Sequence, residues 1–249
     1  MLIDHLAAGM MVQVVRCGFY PEEIPFEKLN AFYKTVRGIG RTAFPIFCFL
    51  LVEGFVHTKN RLRYALSLLI FGFISEAFFD VTFYAKEDVF NINIFHVLSV
   101  NRDVLNDHCN VYFTLLLGFL AIWAADTIIK YMQKNSLPAV MYYSIALAIM
   151  ALFVFIAEKM ITDYHGYGVA LICIFYALKS YEPVNIIAGY LFISNLGREY
   201  LAFPGFILMF FYSHKRGKDL GKLKYLFYAF YPVHIGLIYL LRCFIWGRQ

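Results

Sequence analysis

The chain has 249 residues, of which 61% are hydrophobic and 19% aromatic, and its mean hydropathy is +0.63. Only 16% of its residues are charged, whereas a soluble domain usually carries about 25%, so the composition excludes an ordinary soluble protein and indicates an integral membrane protein. Basic residues on one side of a membrane explain most of the net charge of +5, and no nucleic-acid partner is expected.

Nine apolar runs follow one another and predict an all-α, polytopic membrane bundle of about nine transmembrane helices, in a single domain over residues 1–249. The runs cover roughly residues 1–18, 42–57, 64–84, 110–128, 138–157, 166–179, 184–197, 200–213 and 225–246. A helix needs about 20 residues to cross about 30 Å of hydrocarbon, so several runs are short. Short runs imply re-entrant segments, local thinning of the bilayer or burial behind neighbours.

Basic residues fall in every second connection between the runs and predict the orientation of the bundle. The basic connections are 58–63, 129–136, 179–182 and 214–224, and the others are acidic. The protein is predicted to lie in the cell membrane, that is, the inner or plasma membrane. Because lysine and arginine gather on the cytoplasmic side, its amino end is predicted in the cytoplasm and its carboxyl end on the outer side. Membrane lipids are the expected partners of the apolar surface. The basic segment 214–224 is expected to fix the topology or to contact anionic lipids.

The five cysteines show neither the spacing of a zinc site nor a redox pair, and no metal is expected. They are Cys17, Cys48, Cys109, Cys173 and Cys243. Cys17 and Cys109 both lie near the predicted outer surface, where their pairing is left as an open alternative.

Ionisable side chains inside the apolar runs are the candidate functional residues, because a charge near the bilayer centre costs at least about 2.5 kcal/mol. His5 follows Asp4 and lies about a dozen residues before Cys17, which at 1.5 Å per residue predicts a position near the middle of the membrane. An imidazole there serves either as a proton acceptor or as an interhelical contact. Glu76 and Asp80 lie four residues apart and share one helix face. They either share a proton or a cation or pair with basic residues of the outer rim.

Polar residues in two further runs complete the candidates. Asn110 and Thr114 repeat the four-residue spacing at the start of the fourth run, either as a helix cap and interhelical bond or as substrate contacts. His234 lies near the middle of the last run, just after Pro232. A proline there loosens the helix, which occurs at binding sites and at simple packing kinks.

Six stretches of the chain resemble the TraX family. They are IDH at 3–5, RGIGRTAFPIFCFLLVEGFVHT at 37–58, RLRYALSLLIFGFISEAFFD at 61–80, NVYFTLLLG at 110–118, DYHGYGV at 163–169 and YPVH at 231–234. TraX proteins are polytopic membrane proteins named for the enzyme that acetylates the amino end of conjugative pilin. The family is similar in turn to the acyltransferase-3 group, in which a basic residue precedes a first-helix histidine by ten positions. His5 matches that histidine, but the basic residue would lie before Met1, so the start looks clipped.

The resemblance implies a membrane acyltransferase that moves an acetyl group from cytoplasmic acetyl-CoA to an amine or hydroxyl. His5, helped by Asp4 or Glu76, would deprotonate the acceptor, and Arg41 or Asn110 would stabilise the oxyanion. The implied substrate site is formed by polar residues inside the bundle: Arg41, Asp80, Asn110, Thr114 and His234. The phosphates of CoA would bind basic residues at the inner face: Arg61, Arg63, Lys215 and Arg216.

The acceptor and the class of function stay open on the sequence. A pilin-like peptide, a polysaccharide or a small amine would suit the same site. A proton-coupled transporter also uses histidine and carboxylates inside the membrane, although the inverted repeats typical of transporters are not visible in the sequence. A non-catalytic scaffold, whose polar residues only lock helices together, is the third alternative. Stabilisation by acetyl-CoA would separate the enzyme from both.

Overall fold

The computed structural model describes residues 1–16, 18, 24–105, 108–215 and 221–247, and these residues are helical apart from turns and one β-bridge between Cys109 and Thr162. The helices in chain order are α1 (Leu2–Leu6, continued by the π-helical turn Ala7–Met11 and by Val12–Arg16), α2 (Phe26–Gly40), α3 (Ala43–His57), α4 (Arg61–Phe79, continued by the π-helical turn Asp80–Tyr84), α5 (Ile94–Val100), α6 (Arg102–Leu105), α7 (Val111–Lys134), α8 (Ala139–Lys159), α9 (His165–Ala177), α10 (Glu182–Ile193), α11 (Phe203–Met209, after the 3₁₀ turn Glu199–Ala202) and α12 (Lys224–Trp246, after the 3₁₀ turn Gly221–Leu223).

Within the described ranges, five helical stretches are long and apolar enough to cross a membrane. They are Phe26–His57, Arg61–Tyr84, Val111–Lys134, Ala139–Lys159 and Tyr225–Trp246. Four more apolar helices are shorter: Leu2–Met11, His165–Ala177, Glu182–Ile193 and Glu199–Met209. At 1.5 Å per residue the 13 residues of α9 reach only about 20 Å, less than the hydrocarbon thickness. The all-α, multi-pass prediction is confirmed, but nine complete spans are not.

Helix α2 is the main element that the hydrophobic pattern did not predict. It carries charged residues such as Lys34 and Arg37 and therefore contains no apolar run. A turn at Arg41 and Thr42 connects it to α3. Gly40, at the end of α2, allows α1 to pack closely, because a Cβ atom at this position would overlap the side chain of Asp4. The first helix is thereby held against the second.

The long helix α7 lies at the centre of the bundle. It packs against α4, α8 and α9, and α4 packs in turn against α12. The core contains buried aromatic and aliphatic side chains, whereas many large apolar side chains face outward, including Phe73 (66% exposed), Leu147 (68%) and Phe227 (71%). So much outward apolar surface is unfavourable in water and fits contact with lipid tails.

The two ends of the bundle differ in chemistry. We call the end that carries the short turns before α4, α8 and α10 the basic end. There Asp126 accepts hydrogen bonds from Lys130 (2.9 Å) and the Tyr176 hydroxyl (2.8 Å) and forms an ion pair with Arg61 (2.7 Å). We call the opposite end the loop end, because it carries residues 85–105, 108–110 and 160–164. The backbone N–H of Asp163 there donates to the Cys109 carbonyl at 2.8 Å.

Candidate active site

A cavity of about 310 Å³ lies between α1, α2, α3, α4 and α12, towards the loop end. Phe44, Phe47, Phe79 and Phe83 form much of its apolar wall. Its polar lining consists of Asp4, His5, Tyr33, Arg37, Arg41, Tyr84, Asp163, Tyr164 and Tyr231. Three residues singled out from the sequence, Asp4, His5 and Arg41, therefore share one cavity.

His5 in this cavity is paired with a second histidine, His234 of α12. The distance from His5 Nδ1 to His234 Nε2 is 2.7 Å, and the two rings are within 6° of parallel. His234 is almost fully buried, and its Nδ1 lies 2.6 Å from the Phe230 carbonyl oxygen. The edges of the Phe83 and Tyr231 rings enclose the His5 ring. In place of the expected carboxylate, His5 has an imidazole as its partner.

Two arginines of the cavity are held by carboxylates from other elements. Arg37 of α2 donates from Nη1 to Asp4 Oδ2 at 2.7 Å, so Asp4 is engaged with α2 and not with His5. Arg41 donates to Glu199, whose side chain is only 2% exposed. Asp4 Oδ1 and the Tyr231 hydroxyl have no hydrogen-bond partner among the described residues. The cavity thus combines two cations with acceptors that have spare hydrogen-bonding capacity.

The loop before α9 brings a further hydroxyl to the site. Ile161, Tyr164 and His165 all have positive φ angles, of 48°, 65° and 49°, a conformation that is rare for non-glycine residues and often found at functional sites. The Tyr164 ring stacks on Phe44 with 3.6 Å between centroids, and its hydroxyl lies beside the Arg41 guanidinium. Burial raises the pKa of the neighbouring Asp163 carboxyl to about 6. This carboxyl therefore changes charge close to neutral pH.

The other carboxylates and amides predicted for the site lie outside the cavity lining. Asn110 caps α7 by accepting from the Tyr112 backbone N–H at 2.9 Å, and it donates from Nδ2 to the Gly72 carbonyl (2.8 Å) and to Glu76. Asp80 lies one turn beyond Glu76, and its Oδ1 has no partner among the described residues. The bonds of Asn110 to Gly72 and Glu76 fasten α4 to α7.

Thr114 joins α7 to the loop before α9. It is fully buried, and its hydroxyl donates to the Asp163 carbonyl oxygen. Asn110 has the geometry of both the helix cap and the interhelical bond that the sequence left as alternatives, whereas the bond of Thr114 goes to a loop. A role for Asn110, Thr114, Glu76 or Asp80 in substrate binding or catalysis stays a prediction.

The basic residues predicted to bind CoA lie away from this cavity. Arg61 is engaged by Asp126, and its guanidinium carbon lies 4.1 Å from the centre of the Phe55 ring. Arg63 and Lys215 are exposed at the basic end and do not line the His5 cavity. Arg216 falls outside the described residues. The structure therefore separates the histidine pair from Arg61, Arg63 and Lys215.

In the part of the chain that the structure describes, the thiols and the metal-ligating side chains form no second site. Cys109 is a free thiol, and burial raises its pKa to about 11, while Cys17, the other half of the alternative disulfide, lies outside the described residues. Within the described ranges, no three His, Cys, Asp or Glu side chains converge as metal ligands.

Sequence reasoning missed several residues of the site, and Glu199, Tyr164 and Arg37 are three of them. Glu199 lies between two apolar runs, whereas Glu76 was selected because it lies inside one. Tyr164 lies in the DYHGYGV stretch, but a tyrosine in so aromatic a chain is not distinctive. Arg37 was considered only as a partner for the outer carboxylates, and its ion pair with Asp4 depends on how α1 packs on α2.

Fold and site together define a multi-pass, all-helical membrane protein whose helices enclose a polar cavity with a histidine pair. The chain belongs to the TraX family: the family model described as "TraX protein" matches residues 1–242. It is also similar to a protein of Dichelobacter nodosus described as "Probable fimbrial assembly protein FimC, serogroup H1". The two are 27% identical over 218 residues, which cover 86% of this chain and 85% of that protein. No solved structure matches the chain significantly.

Proposed function

We propose that this protein is a membrane acetyltransferase that moves an acetyl group from cytoplasmic acetyl-CoA to an amine or hydroxyl at or beyond the membrane. The observation that carries the proposal is His5, a histidine that lines a polar cavity inside an apolar bundle and has a second imidazole on its Nδ1. Membership of the TraX family supports the same reaction, since the family is associated with pilin acetylation. The description of the Dichelobacter relative as a fimbrial assembly protein favours a pilin-like acceptor over a polysaccharide or a small amine.

The residues of the cavity suit a general-base mechanism. His5 would take a proton from the neutral amine or the hydroxyl of the acceptor while the acceptor forms its bond to the thioester carbonyl carbon. Arg41 would stabilise the negative charge that develops on the carbonyl oxygen. The carbon–sulfur bond then breaks, and the CoA thiolate receives the proton from His5. Asp4 would keep Arg37 and α2 in place at the mouth of the cavity.

The donor would enter from the basic end, which we place in the cytoplasm. Arg63 is exposed there and lines a groove of about 390 Å³ between α4 and α12, together with Phe71 and Tyr225. Guanidinium and ammonium groups bind phosphate through charge-assisted hydrogen bonds. Arg63 and Lys215 are therefore the candidates for the CoA phosphates, whereas Arg61 is already paired.

An aromatic column on α12 lies between this groove and His5. Tyr225, Tyr228 and Tyr231 follow at three-residue intervals, so each tyrosine is next to the following one on the helix surface. Tyr225 lines the groove, the Tyr228 ring stacks on Phe71 at 5.4 Å, and Tyr231 lines the cavity beside His5. The proposal requires the acyl end of the donor to pass along this column.

The test incubates the purified protein with acetyl-CoA labelled in the acetyl group and with membranes of its source, and then measures label in the product. The variant His5→Gln removes the proposed base, and we expect transfer to fall about 10²-fold or more, which is the usual contribution of general-base catalysis. The matched control is His96→Gln, because His96 is an exposed histidine paired with Asp88 outside the cavity. That control should keep full activity.

Gel filtration and thermal melting in detergent are the controls that test whether both variants fold. Acetyl-CoA should also raise the melting temperature of the wild type, since a ligand that binds only the folded state stabilises it. Transfer by a folded His5→Gln protein at the wild-type rate would refute the role proposed for His5. Absence of both transfer and stabilisation in the wild type would refute the acetyl-CoA reaction.

A further inference from the structure

The histidine pair forms a chain of hydrogen bonds with a defined starting point. His234 Nδ1 lies 2.6 Å from the Phe230 carbonyl oxygen, and His234 Nε2 lies 2.7 Å from His5 Nδ1. The ring of Phe230 also stacks on His234, with 4.7 Å between centroids. His234 is only 3% exposed. The second imidazole is therefore fixed by its own helix and has no free nitrogen for a substrate.

The positions of the protons follow from this geometry. A carbonyl oxygen only accepts hydrogen bonds, so Nδ1 of His234 must carry a hydrogen. In a neutral imidazole the other nitrogen is then an acceptor, and His234 Nε2 accepts from His5 Nδ1. His5 in turn carries its hydrogen on Nδ1, which leaves the lone pair on Nε2. No described residue makes a hydrogen bond with His5 Nε2, and His5 lines the cavity.

We infer that His234 is a positioning residue that fixes the tautomer of His5 and directs the lone pair of His5 Nε2 into the cavity. The Phe230 carbonyl is the anchor of this arrangement. The consequence for catalysis rests on the proposed function, because a general base needs its lone pair towards the acceptor. The tautomer itself does not depend on that function and is measurable without any substrate.

Nitrogen NMR of protein labelled with ¹⁵N-histidine tests the inference. A nitrogen that bears hydrogen and one that bears a lone pair give separate signals, and the signals of His5 among the seven histidines are identified by their loss in His5→Gln. We expect wild-type His5 to carry hydrogen on Nδ1. An Nε2–H form of His5 in the folded wild type would overturn the inference, whatever the activity of the protein.

Two variants of His234 separate positioning from packing. His234→Leu removes the acceptor, and His5 should then lose its strong preference for the Nδ1–H form. His234→Gln places an amide oxygen near the position of Nε2, and His5 should keep that form. In the transfer assay we expect a loss of about 10²-fold or more for the leucine variant and at least a tenfold recovery in the glutamine variant.

The outcomes distinguish this inference from the proposed function. If the wild type shows the expected tautomer but transfers no acetyl group, the function fails and the positioning role stands. If His234→Leu keeps both the Nδ1–H form of His5 and full activity, the positioning role fails while the function stands. Should the leucine variant not fold, the wild-type spectrum together with the glutamine variant still decides the matter.

Discussion

Arg242 of α12 is a fully buried charged side chain whose partners are backbone carbonyls. It donates to the carbonyl oxygens of Gly9 (2.8 Å), Thr82 (2.9 Å), Val81 (2.9 Å) and Val89 (3.2 Å). Three of these carbonyls belong to the π-helical turns of α1 and α4, where the regular i→i−4 bonds are replaced. One guanidinium thus joins both irregular turns to α12. These turns flank the His5 cavity, so Arg242 helps to fix the positions of the cavity walls.

A second charged residue, His214, joins α3 to α10 at the basic end and makes stability depend on pH. Its Nδ1 lies 3.1 Å from Glu53 Oε2 and its Nε2 lies 2.5 Å from Glu182 Oε1. The hydrogen bond to Glu182 and then that to Glu53 raise the pKa of His214 above its ordinary value of 6.5. A raised pKa in the folded state means that the stabilisation is complete below 6.5 and is lost as the pH rises through the raised value.

We therefore expect His214→Gln to lower the melting temperature in detergent at pH 6 and to change it little at pH 9. The side chain is 39% exposed, so solvent screening limits the effect at pH 6 to about 1 kcal/mol or less. That corresponds to roughly 2–4 °C for a chain of this size. Lys215→Gln, an exposed neighbour, is the control and should show no such pH dependence. An equal loss for His214→Gln at both pH values would contradict this account.

At the scale of elements, α12 contains a proline whose missing N–H is compensated from another helix. Pro232 cannot donate to the carbonyl of Tyr228, four residues earlier. The Tyr112 hydroxyl of α7 donates to that carbonyl instead, at 2.7 Å. A contact between α7 and α12 thereby replaces the missing helical bond. It lies just before Tyr231 and His234 along α12.

A double-mutant cycle tests this compensation. Tyr112→Phe should cost about 1–3 kcal/mol, because it leaves a buried carbonyl without a donor. Pro232→Ala supplies a backbone N–H for the same carbonyl, so the cost of Tyr112→Phe should fall by at least about 0.5 kcal/mol in that background. Unfolding in mixed detergent micelles measures all four proteins. Identical costs of Tyr112→Phe in both backgrounds would show that the hydroxyl does not replace the helical bond.

A comparison of the apolar runs with the observed helices shows how much of the fold is predictable from the sequence. Each apolar run coincides with a helix, because a segment in lipid must satisfy its own backbone hydrogen bonds. Helix α2 was not predicted because its amphipathic, charged sequence resembles that of a loop. Ionisable residues within the first apolar run selected Asp4 and His5, and the family resemblance added Arg41. The structure places all three at one cavity, and their catalytic role stays a prediction. Their partners did not follow from the sequence, since His5 and His234 are 229 residues apart and meet only through the packing of α1 on α12.

On the scale of the whole molecule, the bundle places different chemistry at its two ends. The cavity with the histidine pair is displaced towards the loop end, where Asp163 and Tyr164 line it. Arg61, Lys130 and Lys215 lie at the other end, and basic residues favour the cytoplasmic side. In the proposed function, a donor from the cytoplasm and an acceptor from the outer side would approach His5 from opposite directions, and this would give the transfer its direction across the membrane.

This arrangement predicts the orientation of the chain, and single cysteines introduced into a cysteine-free variant test it. Lys59, in the turn before α4, and Ile92, in the loop after α4, are both exposed and lie at opposite ends of that helix. In spheroplasts of an expression host, a membrane-impermeant maleimide should label Ile92→Cys at once and Lys59→Cys only after the membrane is permeabilised. Both variants should react fully in detergent, which controls for local accessibility. The opposite labelling pattern would place the basic end outside and would remove the cytoplasmic route by which acetyl-CoA is proposed to reach His5.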